Sequence, residues 1–278
     1  MATGYRKFGI LLGLLWLTQL LILIPVQAKT MVLIHGYLAN GLSWHTTKVT
    51  QGLLLAGWKD GGGYAVTGQG VLTPRNPLAA PNAFFTVDLP SKATIQVQAY
   101  RLGQYLNHLY ALRNEPIIFV AHSAGGIVAR FYLITPAPVP AQALITIGTP
   151  HLGSPTADLA LLTSRSPVAM MLKATGQDIL RDSRALYANL KTAQPNSFLY
   201  WLNQQPHPVI PYVSVIRSNK NKTRPSKYDF FVPTESQDMN KVWALRGQSL
   251  TYLTEENHFL SGKDGEVLVD ILTSFIGS

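Results

Sequence analysis

The sequence predicts an α/β domain with a mostly parallel central sheet and helices on both faces. Three observations predict it. Short apolar runs alternate with longer segments of helical periodicity along most of the chain, the pattern of strands joined by crossover helices. The strand candidates, at 31–34, 84–87, 117–121, 144–147 and 212–216, carry apolar residues on both faces, as strands of a sheet covered on both sides should. The chain's 278 residues, 47% hydrophobic and only 13% charged, suffice for a sizeable core.

The elements follow in chain order. Arg6 and Lys7 precede an apolar run from 8 to 24, which ends in Pro25-Val26-Gln27-Ala28. Basic start, apolar middle and small residues at the end make a secretory signal cleaved after Ala28, leading to an exported, periplasmic or secreted protein. An uncleaved membrane anchor is the alternative. It would leave only Lys29 and Thr30 between the membrane and the strand at 31–34, which favours cleavage. Cleavage leaves 21 basic against 14 acidic residues, a formal charge of +7.

Helical patterns are expected at 43–56, 94–112, 124–133 and about 265–275. In the second, Ile95, Ala99, Leu102, Leu106 and Leu109 form one core-facing stripe. The Gly- and Pro-rich stretch 57–81 is expected to be an excursion between helix and strand. Residues 159–208 form an insertion of mainly helical pattern, expected to be a lid or cap. Its apolar side chains, Met170 and Met171 among them, would line an acyl pocket. No internal repeat or linker divides residues 29–278.

Composition excludes several chemistries. With no cysteine there is no disulfide, thiolate–metal site or thiol nucleophile. The net charge of +9 comes without a Lys/Arg cluster interleaved with aromatics, so nucleic acid is not an expected partner. Arg217, Lys220, Lys222, Arg224 and Lys227 crowd one segment; a solvated loop is expected there, with contact to an anionic interface the alternative.

The most informative stretch runs from 117 to 126, Ile-Ile-Phe-Val-Ala-His-Ser-Ala-Gly-Gly. An apolar strand leads into Ser123, and an apolar helical pattern follows. A nucleophilic serine on such a turn needs small residues two before and two after, and here they are Ala121 and Gly125. The turn also aims the N–H of Ala124 and the helix's positive end at the reacting oxygen.

This segment resembles the nucleophile elbow of α/β hydrolases, and alanine at 121 is similar to the version in small bacterial lipases. Val32-Leu33-Ile34-His35-Gly36-Tyr37 is similar to the first strand and oxyanion loop of bacterial lipases and esterases. The stretch 146–155, Thr-Ile-Gly-Thr-Pro-His-Leu-Gly-Ser-Pro, resembles the segment after their next strand. The resemblance implies an α/β-hydrolase fold with a helical cap and serine hydrolysis of carboxylic esters. It also implies Tyr37 as the second oxyanion donor beside Ala124.

In such a fold the order is serine, acid, histidine. His258, in Thr254-Glu255-Glu256-Asn257-His258, fits that order. His35, His122 and His151 lie inside motifs where the family places structural histidines. Asp229 precedes Phe230-Phe231-Val232-Pro233, which resembles the family's Asp-x-x-Val-Pro turn; Asp238 is the competing acid.

No cofactor or metal is implied. Larger Gram-negative lipases hold calcium partly through an aspartate two residues past the histidine, where this chain has Leu260. A lipid or small ester is the expected substrate, with transient contact to a lipid interface. Hydrolase versus acyltransferase or phospholipid or glycolipid deacylase stays open, as does a non-catalytic binder and the oligomeric state.

Overall fold

Apolar side chains at consecutive positions can be buried only if both faces of a strand are covered, and the sheet meets that demand. The computed structural model describes residues 28–68, 70–74, 78, 80–163, 179–218 and 229–276. Eight strands appear: β1 (Lys29–Ile34), β2 (Lys59–Thr67), β3 (Gly70–Leu72), β4 (Asn82–Val87), β5 (Ile117–His122), β6 (Ala141–Ile147), β7 (Tyr212–Arg217) and β8 (Ser249–Thr254). They lie in the order β3-β2-β4-β1-β5-β6-β7-β8. Every neighbouring pair is parallel except β2 with β3.

The pleat divides the core in two. Val32, Ile34 and Phe119 point to one side with Leu102 and Leu106 of α3 (Ile95–Arg113) and Ile127 and Val128 of α4 (Ala124–Leu133). Met31, Leu33 and Val120 point to the other, against Trp44 of α1 (Ser43–Thr46) and Leu53 of α2 (Val49–Leu55). Leu268 of the last α-helix, Gly262–Ile271, joins them there. Each such side chain contributes about 1.5–3 kcal/mol by leaving water. That last helix crosses α2 through glycines: a Cβ on Gly52 would lie 2.8 Å from the Gly265 carbonyl carbon.

The α/β-hydrolase fold expected from the sequence is the fold observed, and several local expectations are corrected. The helix at 43–56 is two helices, because Lys48 adopts a φ of 65° and its N–H bonds the His45 carbonyl at 2.9 Å. The stretch 57–81 runs from α2 to β4 as an excursion and contains two strands that were not expected, β2 and β3. β2 escapes a hydrophobic pattern because its inward positions include Gly61, whose missing side chain makes room for the Phe85 ring. β8 also went unforeseen, being an edge strand with Leu250 and Leu253 exposed.

In the insertion, α5 (Pro155–Thr163), α6 (Ile179–Asp182), α7 (Arg184–Leu190) and α8 (Phe198–Leu202) are described. Leu186, Leu190, Leu199 and Leu202 join the core beside α3 and α4, so this part is docked on the domain. Met170 and Met171 lie outside the described residues, as do Lys220, Lys222, Arg224, Lys227 and the apolar run at 8–24. Arg217 is described and departs from the solvated-loop expectation: it is buried and ion-paired with Asp264 at 2.7 Å. Among the described residues, no helix is long and apolar enough to cross a membrane.

Candidate active site

In an open parallel sheet, functional groups gather where the strands end at their carboxyl edge. β5 ends there in His122 and turns sharply at Ser123, which holds φ 52° and ψ −129°. This strained backbone costs about 1–3 kcal/mol and needs outside support. The support is a set of hydrogen bonds: the Ser123 N–H donates to the Ile147 carbonyl at 2.9 Å, and the Thr149 hydroxyl donates to the Ser123 carbonyl at 2.9 Å. The small-residue requirement also holds. A Cβ on Gly125 would overlap the His35 carbonyl oxygen, and one on Gly36 would come within 2.8 Å of Ser123 Cβ.

His258 follows β8 and faces this serine, with Nε2 2.9 Å from Ser123 Oγ. Its Nδ1 lies 2.7 Å from Asp229 Oδ2, and that carboxylate is 1% exposed. Asp229 accepts three further hydrogen bonds: Oδ1 from the N–H groups of Phe231 and Val232 at 2.9 and 2.8 Å, and Oδ2 from Gln237 Nε2 at 3.1 Å. The structure thus brings together Ser123, His258 and Asp229, residues as far as 135 positions apart in the chain.

Asp238, the competing acid, is elsewhere engaged. It caps the turn Met239–Lys241 by accepting from the Asn240 N–H at 2.9 Å. Gln237 was missed by sequence reasoning. It is 1% exposed, and its Oε1 accepts from the Arg217 N–H at 2.7 Å while its Nε2 reaches Asp229. A neutral glutamine in a 3₁₀ turn carries no sequence signal for such a role.

The other motif histidines serve as scaffolding. His122 Nε2 lies 2.8 Å from the His258 carbonyl, so it acts as the donor there. Burial first, then the nearby His258, lowers its pKa to about 3, so it stays neutral. His35 donates from Nδ1 to the Gly36 carbonyl at 2.8 Å and accepts the Leu89 N–H on Nε2 at 2.9 Å. Burial lowers its pKa as well. His151 is fully buried against Thr146 and Arg130.

Ala124 and Tyr37 border the serine. Ala124 opens α4, where the first N–H groups lack partners within the helix. Tyr37 follows Gly36, and its N–H donates no hydrogen bond to any described residue. Chemically, the arrangement provides a serine oxygen, a base within reach of its proton, a carboxylate on the far side of that base, and unpaired N–H groups alongside. No group of three or more metal-binding side chains occurs among the described residues.

Comparison with known proteins agrees with this architecture. No curated protein matches the sequence. The fold is similar to that of the Bacillus licheniformis lipase BlEst2 in mature form, at 17% identity and TM-score 0.60, over 90% of this chain and 93% of that one. It is similar to the lin2722 gene product of Listeria innocua, at 16% identity and TM-score 0.62, over 89% and 95% of the two chains. A metagenomic carboxyl esterase, MGS0156, shares it at 12% identity and TM-score 0.54, over 88% and 75%. At these identities the likeness is one of fold. Residues 85–239, more than half of the 278-residue chain, match the family described as "Putative serine esterase (DUF676)", and the chain belongs to that family.

Proposed function

We propose that the protein is a serine hydrolase of carboxylic esters, a lipase or esterase that works through an acyl-enzyme. One observation carries this reading: the hydrogen-bonded series from Asp229 Oδ2 through His258 to Ser123 Oγ, at 2.7 and 2.9 Å. His258 takes the Ser123 proton as Oγ attacks the ester carbonyl. The Tyr37 and Ala124 N–H groups hold the oxyanion of the tetrahedral intermediate. His258 then returns the proton to the leaving alcohol, and the acyl group remains on Ser123. Water, deprotonated by the same histidine, releases the acid and restores the serine. Asp229 keeps Nδ1 protonated and offsets the charge that forms on the ring.

A lipid interface is the proposed setting. Phe231 and Phe259 flank His258, Phe230 meets Phe231, and the three are 42%, 62% and 81% exposed. Leu38, beside the oxyanion loop, is 54% exposed. Large apolar groups gathered at one site rim suit contact with aggregated acyl chains. Export belongs to the same reading: β1 begins at Lys29, directly after the proposed cleavage site. Mass spectrometry of the protein from its host then finds a chain starting near Lys29, and an intact Met1 in the membrane fraction contradicts it.

The test is a panel of esters of graded chain length, assayed below and above their solubility. Parent protein is expected to hydrolyse them, and Ser123→Ala and His258→Ala each to lose several orders of magnitude in kcat, with little added by combining them. Phe230→Ser with Phe259→Ser is expected to lower the rate on aggregated substrate and spare the dissolved one. Activity that survives Ser123→Ala refutes the reading.

A further inference from the structure

We infer that Ser183 and Tyr187, in the insertion between β6 and β7, are positioning residues that set the oxyanion loop through the Tyr37 side chain. The inference rests on the ester-hydrolase reading and deepens it by making the insertion part of the machinery that stabilises the oxyanion.

Three anchors hold the loop that runs from His35 to Gly41. At its base, His35 bonds the Gly36 carbonyl and the Leu89 N–H. At its far end, the Gly41 N–H donates to Asp88 Oδ1. Between them, the hydrogen bonds of Ala39 and Asn40 are local, made to Gly36 and Ser43. The long-range polar anchor of this middle part, among the described residues, is the Tyr37 phenol. Its O–H donates to Ser183 Oγ at 2.9 Å, and it lies 2.5 Å from Tyr187 Oη, which donates in turn. The two rings meet edge to face, with centroids 5.5 Å apart and planes at 73°.

The loop needs such an anchor. Leu38, the next residue, holds a φ of 54° without being glycine, a conformation that persists only when its surroundings impose it. An N–H donor is useful only where the charge will develop, and a shift of about 1 Å can cost about a hundredfold in rate.

The anchor's seat is itself fixed. Ser183 is fully buried, and burial raises the Tyr187 pKa so that its hydroxyl stays protonated. Beside them, Leu186 and Leu190 enter the core, and the Asn189 side chain accepts the Ile95 N–H at 3.0 Å. The insertion therefore reaches the oxyanion loop from a rigid platform.

The experiment compares Tyr37→Phe, Tyr187→Phe, Ser183→Ala and the double variant Tyr187→Phe/Ser183→Ala in the full chain. The readouts are kcat and KM on a soluble ester, and Ki for an alkyl boronic acid, which forms a charged tetrahedral adduct on the serine. Tyr37→Phe is expected to lower kcat by about tenfold with KM little changed, and to raise Ki by a similar factor, a fraction of the loss for a deleted donor. The double variant should match it, each single variant should fall between, and unfolding midpoints should stay near the parent's. Full activity in Tyr37→Phe and the double variant overturns the inference. So does a fall in kcat with Ki unmoved, an outcome that leaves the hydrolase reading standing. Absence of Ser123-dependent hydrolysis in the parent overturns both.

Discussion

Arg217→Met, made with Asp264 left in place, tests what holds the histidine loop. The two side chains are 0% exposed and meet at 2.7 Å. Arg217 Nη1 also donates to Thr254 Oγ1 at 3.0 Å, while Nε and Nη2 have no partner among the described residues. Asp264 accepts the Ser261 N–H on Oδ2 at 2.8 Å, closing the capping box of the last α-helix. Removing the guanidinium strands a buried carboxylate on one backbone donor, which costs about 3–5 kcal/mol. Against a typical total of about 5–15 kcal/mol, the loss is large. Arg217→Met/Asp264→Leu removes both desolvated charges, one of them only half satisfied, and should return to within about 2 kcal/mol of the parent. Denaturant unfolding of the parent, Arg217→Met, Asp264→Leu and the double variant closes a double-mutant cycle. Thr254 and Ser261 bracket His258, so kcat should fall in the single variant before KM changes. A single variant within about 1 kcal/mol of the parent, or a double variant that loses the sum of both singles, refutes the reasoning.

Two other predictions concern the acid and two histidines with lowered pKa values. Asp229→Asn should lower kcat by about 10⁴ without changing the unfolding midpoint. Asp238→Asn should stay near parent activity, since asparagine caps the same turn; the reverse ranking on a soluble ester would assign the acid to Asp238. His122 is buried, and His207 is half-buried with Nε2 accepting from Arg130 Nε at 3.3 Å; both have pKa values lowered to about 3, chiefly by desolvation. The unfolded chain therefore takes up protons first, so their contribution is complete above about pH 6.5 and fades as pH falls toward about 3. The slope is about 1.4 kcal/mol per pH unit for each histidine. Urea unfolding from pH 7.5 down to 4 reads it, and a flat profile would mean these rings are not held neutral.

What the sequence made legible follows from where its signals are strong. β1, β4, β5, β6 and β7 announce themselves because both faces are covered, so apolar residues occur on both faces of each. The elbow is legible because its sterics restrict positions 121 and 125 to small residues. β2 is hidden because Gly61 yields its space to Phe85, and glycine in a strand looks like a turn. β8 is hidden because an edge strand has little need of apolar residues. Asp229 was separable from Asp238 only through the Val232-Pro233 resemblance; it is Asp229 that lies 2.7 Å from His258 Nδ1. Gln237 and the Tyr37–Tyr187 contact were invisible, since each depends on segments separated in the chain meeting in the fold.

The order of the sheet bears on how the molecule comes into being. β1, the first of the described strands in chain order, ends up between β4 and β5, and its contacts must wait for them. Ser123 takes its strained turn once β6 supplies the Ile147 carbonyl, yet its partner His258 arrives only beyond β8 at the opposite edge. Distant pairings of this kind form slowly. A nascent chain therefore carries Ser123 without His258 beside it, and hydrolytic competence appears only when the outermost strand has docked. Turnover in this architecture is a readout of completed folding.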